Sequence, residues 1–227
     1  LMVEKYNLEK ERCFVIPHAF TPFKSYYTRN KGDIIKILYT GTFYKSAFTQ
    51  EFKIALQRIQ NTSIGKKIEF TFVLSQYDDN SIKWLKDTLP NMKLKLKLDR
   101  SEVIDLLQKS DLVLIIDANS HTDLLKGKLV EAISYGIPVF APTYQGSIMD
   151  RIVTEYGCWA AYQDVENDLY LKLNDTIVNL DSDIWLNIFY NKREKVIDKF
   201  SEKKILKATY DITEFAYQRF NGNSEYT

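Results

Sequence analysis

Lys126 and Lys128 stand at the start of an apolar helical pattern, and Glu131 follows one turn deeper. Lysine is disfavoured at the positive end of a helix dipole unless an anion lies nearby, so this start reads as a phosphate site. From there Glu131 could reach the hydroxyls of a bound sugar or ribose. An intrahelical ion pair between Lys128 and Glu131 is the alternative, although the order with lysine first is the weaker arrangement. Asp123 precedes the helix and could either cap it or receive sugar hydroxyls. Lys45, in the segment Gly41-Thr42-Phe43-Tyr44-Lys45-Ser46, could meet the same anion from the opposite side or be a solvated loop lysine. His18 and His121 are expected as surface or hydrogen-bonded side chains, since two histidines with no acid cluster do not make a metal site. Cys13 and Cys158 lie far apart, outside any metal-ligand spacing, and are expected as reduced, small core side chains.

The elements that must position these groups follow from periodicity. Residues 121–142 read as a loop, a helix of two to three turns, a glycine stop at Gly136 and a buried strand over 137–141. Upstream, strands are predicted at 34–40, 68–74, 92–98 and 111–116, with helices through Phe48, Phe52, Ala55, Leu56 and Ile59, over 81–89 and over 101–109. Asp99 and Glu102 form a capping box for the last of these. The strand over 92–98 alternates Lys93, Lys95 and Lys97 with leucines, which fits an edge strand that resists aggregation, or a basic patch. Downstream come a helix over 146–156, a strand over 158–161, and long helices over 164–180 and 183–220. A short helix over 2–11 and a brief strand over 13–17 are expected before the regular pattern. Strands alternating with helices imply right-handed crossovers and a parallel sheet. The common order 3-2-1-4-5-6 puts the lysine-lined strand at the edge and a crevice between the first and fourth strands. Loops 41–47 and 117–125 flank that crevice. The fold class is therefore α/β, a Rossmann-like doubly wound parallel sheet with long C-terminal helices. It divides into an entry segment (1–33), a Rossmann-like domain (34–182) and a C-terminal helix (183–227).

The chain has 227 residues, 45% hydrophobic and 27% charged, enough for a substantial core. Lys plus Arg at 31 against Asp plus Glu at 30 gives no global basic field, so nucleic acid is not an expected partner. No apolar run approaches the roughly 20 residues that span a bilayer, and the start lacks a secretory-signal pattern, so a cytoplasmic protein is expected. A start on Leu1 suggests a piece of something longer. Nucleophile-elbow, Walker and Gly-x-Gly-x-x-Gly patterns are absent from the sequence, which removes the commonest hydrolase, NTPase and dinucleotide readings.

Four segments resemble the C-terminal half of GT-B glycosyltransferases, nearest the family 4 (group 1) type. These are Val-Ile-Pro-His (15–18), Ile-Leu-Tyr-Thr-Gly-Thr-Phe-Tyr (37–44), Ser110-Asp111 with its apolar strand, and Lys-Leu-Val-Glu-Ala-Ile-Ser-Tyr-Gly-Ile-Pro-Val (128–139). The resemblance implies a single GT-B half-domain holding a nucleoside-diphosphate sugar as substrate, with no metal or other cofactor. The enzyme would be a retaining hexosyltransferase acting on an acceptor glycan or lipid-linked sugar in cell-surface polysaccharide or glycoconjugate biosynthesis. It further implies that Glu131 contacts the ribose, Asp123 lies by the donor sugar, and Lys45 and Lys128 stabilise the diphosphate. The implied donor-contact set is Gly41, Thr42, Lys45, Asp99, Asp123, Lys126, Gly127, Lys128 and Glu131, with Asp123, Lys128 and Lys45 as the catalytic group. The last helix would pack toward a missing N-terminal domain, through which the protein would touch the inner face of the membrane. Thr42 stands where many members carry arginine, and Leu124-Leu125-Lys126 replaces a glycine-rich turn. A nucleotide-sugar epimerase of the same architecture and a non-catalytic nucleotide-binding or assembly module are the alternatives.

Overall fold

The computed structural model describes residues 7, 9, 10, 13, 14, 16, 19, 20, 34–43 and 49–222, the side chains of 121 and 220–222 excepted. Six parallel strands form one sheet in the order β3-β2-β1-β4-β5-β6. These are β1 (Ile35–Gly41), β2 (Ile68–Leu74), β3 (Lys93–Leu96), β4 (Leu112–Leu114), β5 (Val139–Thr143) and β6 (Trp159–Tyr162). The helices are α1 (Gln50–Gln60), α2 (Asp79–Thr88), α3 (Arg100–Gln108), α4 (Gly127–Ser134), α5 (Ile148–Glu155), α6 (Asp168–Asn179), α7 (Asp183–Lys199) and α8 (Glu202–Gly222). The expected strand order is therefore the observed one, and β3 is an edge with Lys93, Lys95 and Lys97 exposed.

Burial explains the order. The strand β4 is buried at every position and β5 likewise, as strands covered by helices on both faces must be. Register runs from Ile37 opposite Leu112 to Tyr39 opposite Leu114 across the central pair. Beyond β4 the ladder loosens but continues: the Ile115 and Asp117 N–H groups donate to the Phe140 and Pro142 carbonyls at 3.1 and 2.8 Å. Helix starts follow local chemistry. Thr49, Asp78, Ser147 and Ser182 each accept a backbone N–H as N-cap, an interaction that contributes about 1 kcal/mol per helix. The α3 capping box is present, with the Asp99 N–H donating to Glu102 Oε2 at 3.0 Å. Cys158 packs against the core and its sulfur accepts the Val139 N–H at 3.2 Å, while Cys13 is half-buried.

Several boundaries differ from expectation, four of them with a visible local cause. Asp123 is not the N-cap of α4: the helix starts later, and Lys126 occupies the cap with extended backbone. The strand β3 is shorter than 92–98 because Lys97 turns into the left-handed region at φ +52°. Residues 164–167 form a turn rather than the start of α6, closed by Asn167 at φ +62° and by the Asp168 carboxylate, which accepts the Tyr162 N–H at 2.7 Å. The single helix expected over 183–220 is two helices. At their junction the Phe20 N–H donates to the Phe200 carbonyl at 3.2 Å, and the Glu202 N–H donates to the Phe20 carbonyl at 3.1 Å. Phe200 is buried there with Phe20 against it, ring centroids 6.4 Å apart. A passing segment thus takes the place of helical hydrogen bonds and breaks the axis. Cys13, Phe14 and Ile16 carry no strand. Most of the short helix over 2–11, and His18, lie outside the described residues.

Candidate functional site

The strand β1 ends on Gly41, whose φ of +128° only glycine adopts without strain. A methyl group added there would sit 1.3 Å from Lys128 Nζ, so the lysine ammonium rests directly against the glycine backbone. Two elements distant in sequence are thereby joined at the expected crevice between β1 and β4. Burial, aided by the Lys126 charge and opposed by Glu131, lowers the pKa of the Lys128 ammonium to about 8. The ammonium also lies 5.5 Å from the centre of the Tyr39 ring. Tyr39 in turn fixes the loop, its hydroxyl donating to the Thr42 carbonyl at 2.7 Å. Cross-links to the β2 end complete the floor. The Ser75 N–H donates to the Gly41 carbonyl at 3.0 Å, the Phe43 N–H to the Gln76 carbonyl at 3.2 Å, and the Thr42 and Ser75 hydroxyls are 3.3 Å apart. Lys45 lies outside the described residues.

On the other wall, α4 begins without a side-chain cap and without an acidic residue in its first turn. Open space stands where a Gly127 side chain would be. Lys126 reaches back to Asp117, Nζ to Oδ1 at 3.0 Å, and the Asp117 side chain is only 1% exposed. Asp117 also accepts the Thr143 hydroxyl at 3.0 Å, and Thr143 and Ser147 hydroxyls are 2.7 Å apart. Gln163, buried, donates to the Asp117 carbonyl at 2.8 Å and accepts from the Thr49 hydroxyl at 3.4 Å. This polar hub ties the ends of β4, β5 and β6 to the starts of α1, α4 and α5. Tyr144 borders it, and burial together with Asp164 and Asp117 raises its hydroxyl pKa.

Glu131 does not pair with Lys128. Its carboxylate meets Arg100 Nη2 at 3.3 Å, joining α4 to the first residue of α3. Gly41, Thr42, Lys126, Gly127, Lys128 and Glu131 therefore lie together where β1 ends and α4 begins. Asp99 caps α3 beside Arg100, at the rim. Asp123 is exposed in the loop before α4, with its side chain committed to no helix cap. Among the described residues, no cluster of three or more His, Cys, Asp and Glu side chains could hold a metal ion. Sequence reasoning missed Asp117, Thr143, Gln163 and Arg100. Asp117 had a signal: a carboxylate closing an all-apolar buried strand needs a cationic or hydrogen-bonding partner. Arg100 had none, because its contact lies 31 positions away on another helix.

No family model and no curated protein matches this chain. Solved structures do. A glycosyltransferase from Rickettsia africae aligns over 93% of this chain and 59% of its own length, with TM-score 0.67 and 15% identity. WaaG, a glycosyltransferase involved in lipopolysaccharide biosynthesis, aligns over 88% of this chain and 59% of its own, with TM-score 0.62 and 18% identity. The C-terminal domain of the glycosyl transferase group 1 family protein LpcC from Francisella tularensis aligns over 74% of this chain and 87% of its own, with TM-score 0.57 and 18% identity. The chain thus spans about three fifths of the two longer structures and most of the isolated domain, and its fold is that of one GT-B half.

Proposed function

We propose that this GT-B half-domain is the donor-binding part of a glycosyltransferase that moves a sugar from a nucleoside diphosphate to an acceptor hydroxyl. The observation that carries the reading is the Lys128 ammonium lodged on Gly41 beside the uncapped start of α4. A diphosphate would take the α4 N–H groups and Lys128, with Lys45 from the opposite loop and the Thr42 hydroxyl nearby. Lys126, its charge balanced by Asp117, would hold the start of α4 in place. Glu131 would exchange Arg100 for the ribose hydroxyls at little cost, because a pair with one partner 82% exposed is worth only about 0–1 kcal/mol. Asp123 would lie by the donor sugar. Negative charge grows on the departing diphosphate, and preorganised cations and amides stabilise it most in the transition state. The chemistry assigned to these residues calls on no metal ion.

The acceptor, a glycan or lipid-linked sugar of cell-surface assembly, would be held mainly by a second half. Leu206, Tyr210 and Tyr217 on α8 are 60%, 67% and 65% exposed and give a surface on which that half would pack. Among the described residues no helix is long and apolar enough to cross a membrane.

A thermal-shift screen with UDP, GDP, ADP, CMP and their sugars tests the reading. A ligand at 100 times its dissociation constant stabilises by about 2.7 kcal/mol, a measurable rise in melting temperature. The rise should disappear in Lys128→Ala and Glu131→Ala. Absence of a shift with every nucleotide, or a shift indifferent to both changes, would overturn it.

A further inference from the structure

Gln163 follows directly on β6 and is 4% exposed, and an amide so buried is tolerated only when its polar atoms are bonded. Its Nε2 donates to the Asp117 carbonyl at 2.8 Å and to the Pro142 carbonyl at 3.3 Å, and its Oε1 accepts the Thr49 hydroxyl at 3.4 Å. Its backbone N–H donates to the Thr143 carbonyl at 2.9 Å. Carbonyls only accept, so the amide cannot turn over without setting oxygen against oxygen. Each partner leads toward the donor site from a different element. Thr49 caps α1, the helix that follows the turn opened by Gly41 and Thr42. Asp117 begins the connection to α4, and its carboxylate holds Lys126 Nζ at 3.0 Å. Pro142 precedes Thr143, whose hydroxyl donates to that same carboxylate at 3.0 Å. An apolar side chain of similar size would fill the space without a desolvation cost, but it would fix no direction among these segments.

We propose that Gln163 is a positioning residue of the donor site, joining the start of α1 to the start of α4 so that Lys128 is held against Gly41 where a diphosphate is received. This rests on the donor-site reading above. Gln163 itself touches no substrate. Its amide fixes the Asp117 backbone, the Asp117 carboxylate fixes Lys126, and Lys128 stands two residues further on in α4. The ammonium of Lys128 occupies the hollow that a Gly41 side chain would fill, so a small retreat of the α4 start would open that contact to water. The Thr49 hydroxyl supplies the opposing hold, from the helix that follows the Gly41 turn. The effect of Gln163 should therefore appear in how the site treats phosphate, through Lys128.

Isothermal titration of the full 227-residue chain with UDP, UMP, GDP and GMP tests this, comparing wild type with Gln163→Met, Thr49→Val, Thr49→Ser and Lys128→Ala. The wild type should favour a diphosphate over its monophosphate. Gln163→Met, similar in length but without the amide, should weaken diphosphate binding by about tenfold, the scale of one buried hydrogen bond lost, and bring the two affinities closer together. It should also move the pH at which diphosphate affinity falls from about 8 toward 10.5, because burial lowers the Lys128 pKa while Lys126 and Glu131, the charges that act on it, are unchanged. Where Gln163→Met does not fold, Thr49→Val decides by the same two readouts, and Thr49→Ser, which keeps the hydroxyl, should restore both. A lowered melting temperature with the diphosphate preference and the pH of the fall unchanged would overturn the positioning role while leaving the donor site standing. No diphosphate binding by the wild type, or binding indifferent to Lys128→Ala, would remove the underlying donor site and this role with it.

Discussion

Lys128 is held against Gly41 with its ammonium partly withdrawn from water, which lowers its pKa to about 8. For a lysine, a lowered pKa means that the folded state disfavours the proton. Its charging cost is fully present below about pH 8 and is relieved as pH rises from there toward the ordinary value of 10.5. Anion binding has the opposite dependence, because a phosphate needs the charged form. Affinity for a nucleoside diphosphate should therefore fall as pH rises through about 8, by up to about tenfold per unit, and Lys128→Arg should move the fall to higher pH. Titrations at a series of pH values check this, and a flat wild-type profile would separate Lys128 from the phosphate. Lys126 behaves differently. Its charge is balanced by buried Asp117, so it serves chiefly to hold the start of α4 in place.

At the scale of elements, the helices beyond the sheet are held by aromatic packing. Trp185 of α7 stacks on Trp159 of β6 at 4.4 Å and on Phe189 at 5.0 Å, and its indole N–H donates to the Gly157 carbonyl at 3.1 Å. These rings lie inside, while Tyr210, Phe215 and Tyr217 of α8 are exposed. The α7–α8 break depends on Phe200, 2% exposed, and on the passage of Phe20. Phe200→Ala should lower unfolding free energy by about 3 kcal/mol or more, read from urea denaturation at constant slope. An unchanged midpoint would mean that the junction relaxes around the loss and that Phe20 alone maintains the break. Nucleotide binding in the same variant should be unaffected, since the crevice lies at the other elements.

For the whole molecule, a single donor-binding half predicts binding without turnover. Incubation of this chain with nucleoside-diphosphate sugars should release free nucleoside diphosphate only at the background rate. Efficient release or sugar transfer would show that the acceptor side is already present. The sequence by itself determined the α/β class, the strand order and the crevice, because period-2 and period-3.6 patterns, caps and glycine stops are local. It also marked Lys126, Lys128 and Glu131, whose oddity lies in their place along one helix. Tertiary structure alone decided which charge meets which. Lys126 pairs with Asp117 across the β4–α4 loop, Glu131 turns to Arg100 instead of Lys128, and Lys128 fills the hollow that Gly41 leaves. It also decided that one long helical pattern becomes two helices, because Phe20, about 180 positions earlier in sequence, supplies the hydrogen bonds at the break. Side-chain partners depend on distances between elements, and no periodicity along the chain encodes those distances.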